Sequence, residues 1–311
     1  MNDPQTPYMI EVAGLTKRFG ARTAVSAVDL TVPRACAYGF LGHNGAGKTT
    51  LIRMLLGLTH ADAGTMRIAG RPVPQERSAV LARVGAIVEE PAFHKHLTGR
   101  ENLRVAAAVR GGAARVRIGS ALDRVGLANR AGDRVGTYSQ GMRQRLGIAR
   151  CLLADPELLI LDEPMNGLDP GGIRELRQMI GALVAEGRTV FLSSHLLDEV
   201  EKTCDAAAVI DHGRIVEAGP IGSLLRHGGP ELEISCDDPG LAAALLTHHG
   251  AVGAVDATAG GVRLTLADPD GAAAINASLV GAGVAVSRLA PVEHSLEQRF
   301  LELTSSLGGQ S

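Results

Sequence analysis

Short apolar runs alternate with amphipathic runs along the first two thirds of the chain. Three compact apolar runs predict buried strands: Ala37–Leu41, Leu158–Leu161 and Thr189–Ser193. Thr49–Leu58 carries its apolar residues at helical spacing and predicts a helix. Ala206–Asp211 and Arg214–Ala218 predict two strands joined by the turn His212-Gly213. Strands that alternate with helices in this way indicate an α/β fold.

The pattern changes twice further along the chain. Helical spacing dominates from Phe93 to Arg150, which predicts a helical insertion at about residues 90–150, between two strands of the sheet. Gly, Pro and His are frequent in Gly219–Pro230, which predicts a linker. Beyond it the signals follow the order βαββαβ, which predicts a small α+β domain of the ferredoxin-like type. The chain therefore divides into an N-terminal tail (1–8), a first domain (9–226) and a C-terminal domain (227–311).

Composition narrows the class of protein. The 311 residues are 45% hydrophobic and 21% charged, which is ordinary for a globular protein and excludes a disordered chain. The net charge is -2, whereas a general binder of nucleic acid or anionic lipid is usually more basic. Only four residues are lysine, so the position of each lysine is informative.

Two further exclusions concern the membrane and disulfides. No apolar stretch reaches the ~20 residues of a membrane-spanning helix, and the first residues, MNDPQTPYMI, lack a signal-peptide pattern. The four cysteines are far apart and form no CxxC pair. Buried reduced thiols in a cytosolic protein fit this spacing better than disulfides or a zinc site.

A glycine-rich segment follows the predicted strand Ala37–Leu41 and opens the next helix. Its sequence, GHNGAGKT, matches the phosphate-loop pattern G-x-x-x-x-G-K-[ST] in the required strand–loop–helix context. The glycines let the backbone N–H groups surround phosphate oxygens, Lys48 supplies a cation, and the Thr49 hydroxyl is a Mg²⁺ ligand. The predicted nucleotide-binding residues here are Gly42, His43, Asn44, Gly45, Ala46, Gly47, Lys48, Thr49 and Thr50.

An acidic pair follows the predicted strand Leu158–Leu161. Asp162 emerges at the carboxyl end of that strand, where ligands bind in open α/β sheets, and is predicted to hold Mg²⁺ directly or through water. Glu163 is placed to polarise an attacking water as a general base.

Residues 137–145 identify a family. Their sequence, TYSQGMRQR, resembles the signature of ATP-binding cassette (ABC) proteins, usually written LSGGQ. Ser139 and Gly141 keep the two central positions, whereas Tyr138, Gln140 and Met142 replace Leu, Gly and Gln. A Ser side chain and N–H groups at the start of a helix suit contact with a phosphate.

Further elements fall in the order of the same family. Asp169, in Asn-Gly-Leu-Asp, is similar to the D-loop aspartate that meets a partner subunit. His195 is similar to the H-switch that contacts the γ-phosphate, and Phe19 to the aromatic that stacks on adenine. The resemblance covers about residues 9–225 and implies a P-loop ABC ATPase core with a helical insertion.

One position departs from the family pattern. The loop that leads into the helical insertion carries Glu89, with Glu90 as the alternative alignment, where most members have Gln. Such a Glu, with the Tyr-Ser-x-Gly-Met signature, resembles the ATPase subunits of bacitracin-resistance and lantibiotic-immunity exporters. The C-terminal Ser295-Leu-Glu-Gln-Arg-Phe300 segment resembles the ending of drug-export ATPase subunits. Glu89 is the third predicted metal ligand, beside Thr49 and Asp162.

The resemblance implies an ATPase that uses ATP and Mg²⁺ and works as a head-to-tail dimer, either of this chain or with a paralogous ATPase subunit. Glu163 and His195 would be catalytic, while Ser139, Gln140, Gly141, Met142 and Asp169 would reach the nucleotide of the partner. It further implies a separate membrane permease, an exported antibiotic, peptide or other amphiphile, and a position on the cytoplasmic face of the membrane, with no nucleic acid involved. The alternatives are a soluble ABC ATPase acting on ribosomes or nucleic acid, and a non-pumping sensory or immunity complex.

Overall fold

The computed structural model describes residues 6–225, 231–268, 271–292 and 295–300. The chain divides into two compact units between Ile221 and Gly222, whereas the sequence pattern places the boundary at residue 226.

The first unit contains strands and helices in alternation. In chain order they are β1 (Tyr8–Phe19), β2 (Arg22–Pro33), β3 (Ala37–Leu41), α1 (Lys48–Leu55), β4 (Ala63–Ile68), β5 (Arg71–Val73), α2 (Arg77–Leu81), β6 (Val84–Ile87), α3 (Gly99–Arg110), α4 (Gly112–Val116), α5 (Ile118–Arg124), α6 (Gln140–Leu152), β7 (Leu158–Leu161), α7 (Pro170–Ala185), β8 (Thr189–Ser194), α8 (Leu197–Thr203), β9 (Ala206–Asp211) and β10 (Arg214–Pro220). The short helix α9 (Ile221–Leu224) follows, with its first residue in the first unit and the other three in the second. Short 3₁₀ turns lie at Ala128–Arg130 and Val135–Thr137.

The strands of the first unit form two sheets. Within the described residues, the larger sheet has the order β10-β9-β3-β8-β7-β6, with parallel pairing except between β9 and β10. The other sheet is antiparallel, in the order β2-β1-β4-β5. All residues of β3 and β7 are buried, as expected for strands covered on both faces. The strand β3 lies between β8 and β9, so the phosphate loop, which follows β3, begins at the end of a central strand of the sheet.

The helical insertion lies between β6 and β7, as predicted. Its helix α3 begins with a capping box, in which Thr98 accepts a hydrogen bond from the Glu101 N–H and the Glu101 carboxylate accepts one from the Thr98 N–H. The apolar side of α3 buries Leu103 and Ala107. Among the described residues, no helix combines the length and apolar character that crossing a membrane requires.

The second unit has the predicted order βαββαβ. Its elements are β11 (Glu231–Cys236), α10 (Pro239–Leu246), β12 (Val252–Thr258), β13 (Gly261–Leu266), α11 (Ala272–Gly281) and β14 (Val286–Pro291). The antiparallel sheet order β12-β13-β11-β14 is that of the ferredoxin-like fold and confirms this prediction. Ile234, Val262 and Leu279 are among the fully buried side chains of its own core.

The cysteines are free thiols, and Cys36, Cys151 and Cys204 are buried. Burial raises the pKa of Cys36 and Cys151 to about 11. Because the thiolate is the reactive form, these thiols are inert at neutral pH.

Candidate functional site

The phosphate loop has a backbone that only glycine accommodates at its key positions. Gly45 and Gly47 have φ values of 85° and 114°, in the region that other residues avoid. A Cβ atom on Gly47 would lie 2.4 Å from the Ala24 carbonyl oxygen, and one on Gly42 would lie 2.4 Å from the Ile210 carbonyl oxygen. The loop therefore packs closely against its neighbours, and Gly42 and Gly47 have no room for a side chain.

The Lys48 side chain is buried and folds back over the loop. Its ammonium donates hydrogen bonds to the carbonyl oxygens of Gly42, at 2.6 Å, and His43, at 3.3 Å. It also lies 3.0 Å from Oε1 of Glu163. One cation thus joins the phosphate loop to the acidic pair that follows β7.

The Glu163 carboxylate lies between two basic side chains. Its Oε2 is 2.8 Å from Nδ1 of His195, and Lys48 faces the other oxygen. Oε1 is buried and accepts no hydrogen bond from the described residues, although the Lys48 ammonium is close. The Glu163 backbone has a φ of 47°, a sparsely populated conformation that is often found at functional sites.

The Asp162 carboxylate is held by two hydroxyl groups. Thr49 donates to Oδ2 at 2.9 Å, and Ser193 donates to Oδ1 at 2.5 Å. Ser193 also accepts a hydrogen bond of 3.0 Å from the Glu163 N–H. The two strands β7 and β8, which are adjacent and parallel, bring these groups together at their carboxyl ends.

The donor set around Asp162 suits magnesium. A carboxylate and a hydroxyl oxygen lie within hydrogen-bond distance of each other, and Mg²⁺ in nucleotide sites takes few protein oxygens and completes its shell with phosphates and water. Thr49 and Asp162 therefore fit the metal.

Glu89 is placed differently. Its Oε1 accepts a hydrogen bond of 2.5 Å from Nη2 of Arg53, a residue of α1, and its side chain is largely exposed. Its backbone has a φ of 62°. The structure thus joins Glu89 to α1 by an ion pair, and its role as a metal ligand stays a prediction.

A cavity of about 350 Å³ opens beside the phosphate loop. Phe19, at the end of β1, is 54% exposed and lies on its wall, with the Lys17 ammonium 5.3 Å from the ring centroid. An exposed aromatic ring beside a phosphate loop is suited to stacking on a base. The lining residues are Phe19, Arg22, Ala24, Asn44, Gly45, Gly47, Lys48, Thr49, Thr50 and Glu163. Two other loop residues support this wall, since His43 O accepts from Lys48 and Ala46 O accepts from Gly213 N–H.

The signature residues lie at the start of α6. Ser139 caps this helix, accepting a hydrogen bond of 3.2 Å from the Met142 N–H. Gln140 donates to the carbonyl oxygen of Asn166, which brings the D-loop against the signature. Gly141 also belongs to the first turn of α6 and faces Leu168.

Asp169 caps α7 by accepting a hydrogen bond from the Gly172 N–H. Among the described residues that line the phosphate-loop cavity, none belongs to the signature or the D-loop.

Two residues of the site were not predicted from the sequence. Ser193 links Asp162 to the Glu163 backbone, and Arg22 lines the cavity and donates to the Gly45 carbonyl oxygen at 3.1 Å. A buried serine at the carboxyl end of a predicted strand, directly before Ser194-His195, was the available signal for Ser193. Arg22 carried no signal, because its position depends on the pairing of β1 with β2.

Comparison with known proteins matches residues 25–166 to the ABC transporter family. The bacitracin transport ATP-binding protein BcrA of Bacillus licheniformis is 39% identical over 95% of this chain and 97% of its own length. The daunorubicin/doxorubicin resistance ATP-binding protein DrrA of Streptomyces peucetius is 41% identical over 71% of this chain and 68% of its own length.

Solved structures agree with this match. An ATP-binding subunit of an ABC transporter superposes with a TM-score of 0.62 at 30% identity, covering 70% of this chain and 91% of that one. The match to the family, over residues 25–166, includes the phosphate loop, and the relative from Bacillus licheniformis covers 95% of the chain. The chain therefore belongs to the ATP-binding proteins of ABC transporters and hydrolyses ATP in coupling with transport.

Proposed function

We propose that this chain hydrolyses ATP·Mg²⁺ between two ATPase subunits arranged head to tail and thereby drives a separate membrane permease that exports an antibiotic, peptide or similar amphiphile. The observation that carries the proposal is the position of Glu163, which lies between Lys48 and His195 on the wall of the phosphate-loop cavity. A carboxylate in that position can accept a proton from water beside a bound phosphate.

The residues divide the work by their chemistry. The loop N–H groups and Lys48 bind phosphate oxygens, and Phe19 stacks on adenine. Thr49 and Asp162 hold the metal ion, which supplies charge neutralisation on the phosphates. Glu163 accepts a proton from the attacking water, and His195 orients the Glu163 carboxylate through Nδ1.

The cavity supports the dimer. Phosphoryl transfer needs donors on all sides of the transferred group, yet the cavity wall comes from the phosphate loop, β1, β2 and Glu163. Ser139 and Gly141 present the N-terminus of α6 elsewhere on the unit. A second copy turned head to tail brings that helix N-terminus to the exposed side of the nucleotide, with Gln140, Met142 and Asp169 at the same contact.

The relatives support export. Two of them are named for bacitracin transport and for daunorubicin/doxorubicin resistance. A third is a Nod factor export ATP-binding protein of Burkholderia lata, 39% identical over 73% of this chain and 74% of its own length. The three names refer to transport, export or drug resistance. The proposed site of action is the cytoplasmic face of the membrane.

Glu163→Gln tests the proposal. The variant keeps the size of the side chain and removes the base, so turnover should fall roughly 10²–10⁴-fold while ATP binding persists and ATP-dependent dimers accumulate. Phosphate release and size-exclusion chromatography with ATP measure the two effects. In cells that contain the membrane partner, the variant should also abolish resistance to the exported compound.

The matched control is Glu76→Gln, which removes an exposed carboxylate paired with Arg71 and should leave every readout unchanged. Hydrolysis by Glu163→Gln at the control rate would remove Glu163 from its role. Loss of hydrolysis without any change in drug resistance would refute export while leaving the ATPase chemistry intact.

A further inference from the structure

A strongly basic segment lies within the helical insertion of this slightly acidic chain. Residues 91–122 contain six Lys or Arg residues and one acidic residue, Glu101, whereas the whole chain carries a net charge of -2. Acidic residues elsewhere in the sequence offset the positive charge of this segment, so the net charge of the whole chain does not reveal it.

Exposed valines occupy the same segment. Val105 is 48% exposed, Val109 is 90% exposed and Val116 is 85% exposed. Val105 and Val109 are four residues apart on α3 and share one face of this helix, opposite the buried Leu103 and Ala107. The short helix α4 follows α3 directly and ends at the third exposed valine, Val116.

Each exposed valine has an arginine directly beside it in sequence. The pairs are Arg104-Val105, Val109-Arg110 and Arg115-Val116. Arg117 is paired with Asp155, whereas Arg104, Arg110 and Arg115 are exposed and form no ion pair with a carboxylate in the described parts of the chain. Glu101, the single local carboxylate, is engaged in capping α3.

We propose that this surface binds the anionic headgroup layer of a lipid bilayer. We call it the basic valine patch, and it consists of Arg104, Val105, Val109, Arg110, Arg115 and Val116. The proposal does not depend on the mechanism of ATP hydrolysis or on the identity of the permease.

The alternation of charge and apolar surface favours a bilayer over a protein partner. In the dry core of a protein interface, each guanidinium group beside a valine would have to leave water, which is costly without a carboxylate partner. At a membrane surface, the apolar and the charged side chains can each reach a suitable environment, because the two environments lie at different depths. The valines enter the boundary of the acyl chains, and the arginine side chains extend to the lipid phosphates. Each arginine near an anionic surface strengthens binding several-fold.

Vesicle flotation with the full chain, in the absence of permease, tests the proposal. Vesicles of phosphatidylcholine alone are compared with vesicles that contain about one third phosphatidylglycerol, the fraction being chosen to give a substantial surface potential. The chain should float with the anionic vesicles only, and 0.5 M salt should release it, a concentration at which the Debye length falls to about 4 Å.

Two double variants of equal net charge separate the patch from general electrostatics. Arg104→Glu with Arg115→Glu should lower the vesicle partition coefficient by about thirtyfold or more. The matched control, Arg263→Glu with Arg288→Glu, changes two exposed arginines of the second unit and should bind as the parent does. Val109→Ser with Val116→Ser should also weaken binding, whereas Val280→Ser, on α11, should not.

Several results would overturn the proposal. These are no flotation of the parent chain with anionic vesicles, equal flotation of the patch and control variants, or patch variants that still float but no longer co-purify with the permease. The last result would assign the surface to a protein contact. Circular dichroism and basal ATPase activity, which should match the parent in all variants, check that the fold is retained.

Discussion

Ser193 offers a sharp test of how the metal site is built. Its hydroxyl is fully buried, donates to Asp162 and accepts from the Glu163 N–H. Ser193→Ala removes both hydrogen bonds, and it leaves a buried N–H without its partner. Ser193 does not line the cavity beside the phosphate loop. An effect of Ser193→Ala on catalysis therefore acts through Asp162 and Glu163, the two acidic residues that the hydroxyl positions.

The magnitude follows from the two contacts. A hydrogen bond to a charged group contributes about 1.5–3 kcal/mol, and a buried donor left unsatisfied costs about 1–3 kcal/mol. Because the two effects share one hydroxyl and the neighbours relax, we expect the free energy of unfolding of the first unit to fall by roughly 2–4 kcal/mol. Urea denaturation followed by circular dichroism measures this change.

The same substitution should alter catalysis in a specific way. With Asp162 held by Thr49 alone, the Mg²⁺ concentration that gives half-maximal ATPase activity should rise several-fold, and kcat should fall as Glu163 loses its backbone anchor. Ser194→Ala is the matched control, since the adjacent buried hydroxyl accepts a hydrogen bond from the Leu196 N–H and, among the described residues, donates to neither acidic residue of the site. Its loss should cost about 1 kcal/mol. Equal effects of the two variants on stability and Mg²⁺ dependence would refute the reasoning.

Two further predictions concern the phosphate loop and its neighbour Glu89. Gly47→Ala should abolish binding of a fluorescent ATP analogue, because the φ of Gly47 is 114° and an added Cβ atom would lie 2.4 Å from the Ala24 carbonyl oxygen. The control Gly181→Ala, on α7 with open space around it, should bind the analogue normally. The Arg53→Glu and Glu89→Arg variants should each lower ATPase activity, and the double variant should recover part of it. A coupling energy of up to about 1 kcal/mol is expected from the double-mutant cycle, since the pair is exposed; zero coupling would mean that this contact does not hold the loop.

Local patterns predicted much of the fold. The apolar runs at β3, β7 and β9 were identified with their bounds, and the order βαββαβ was sufficient for the ferredoxin-like fold of the second unit. The antiparallel sheet of β1, β2, β4 and β5 was not predicted. Register shifts in β1 interrupt the alternation of buried and exposed residues that reveals a strand.

In the candidate site as well, contacts within one motif could be predicted, whereas contacts between distant residues could not. Residues within one motif, from Gly42 to Thr50, could be identified because the phosphate loop is continuous in sequence. The Thr49–Asp162 hydrogen bond joins residues 113 positions apart, and the sequence linked them only through the magnesium-binding role predicted for each. The Arg53–Glu89 pair was unpredictable, because it joins a residue of α1 to one that follows β6, 36 positions later, and no motif contains both.

The contact between Lys48 and Glu163 has a thermodynamic consequence. The two side chains form an ion pair in the structure, so a nucleotide phosphate that binds Lys48 must compete with the protein's own carboxylate. The free energy of this internal pair is subtracted from the free energy of ATP binding. Glu163 therefore acts as a built-in competitor that raises the ATP concentration needed to occupy the loop.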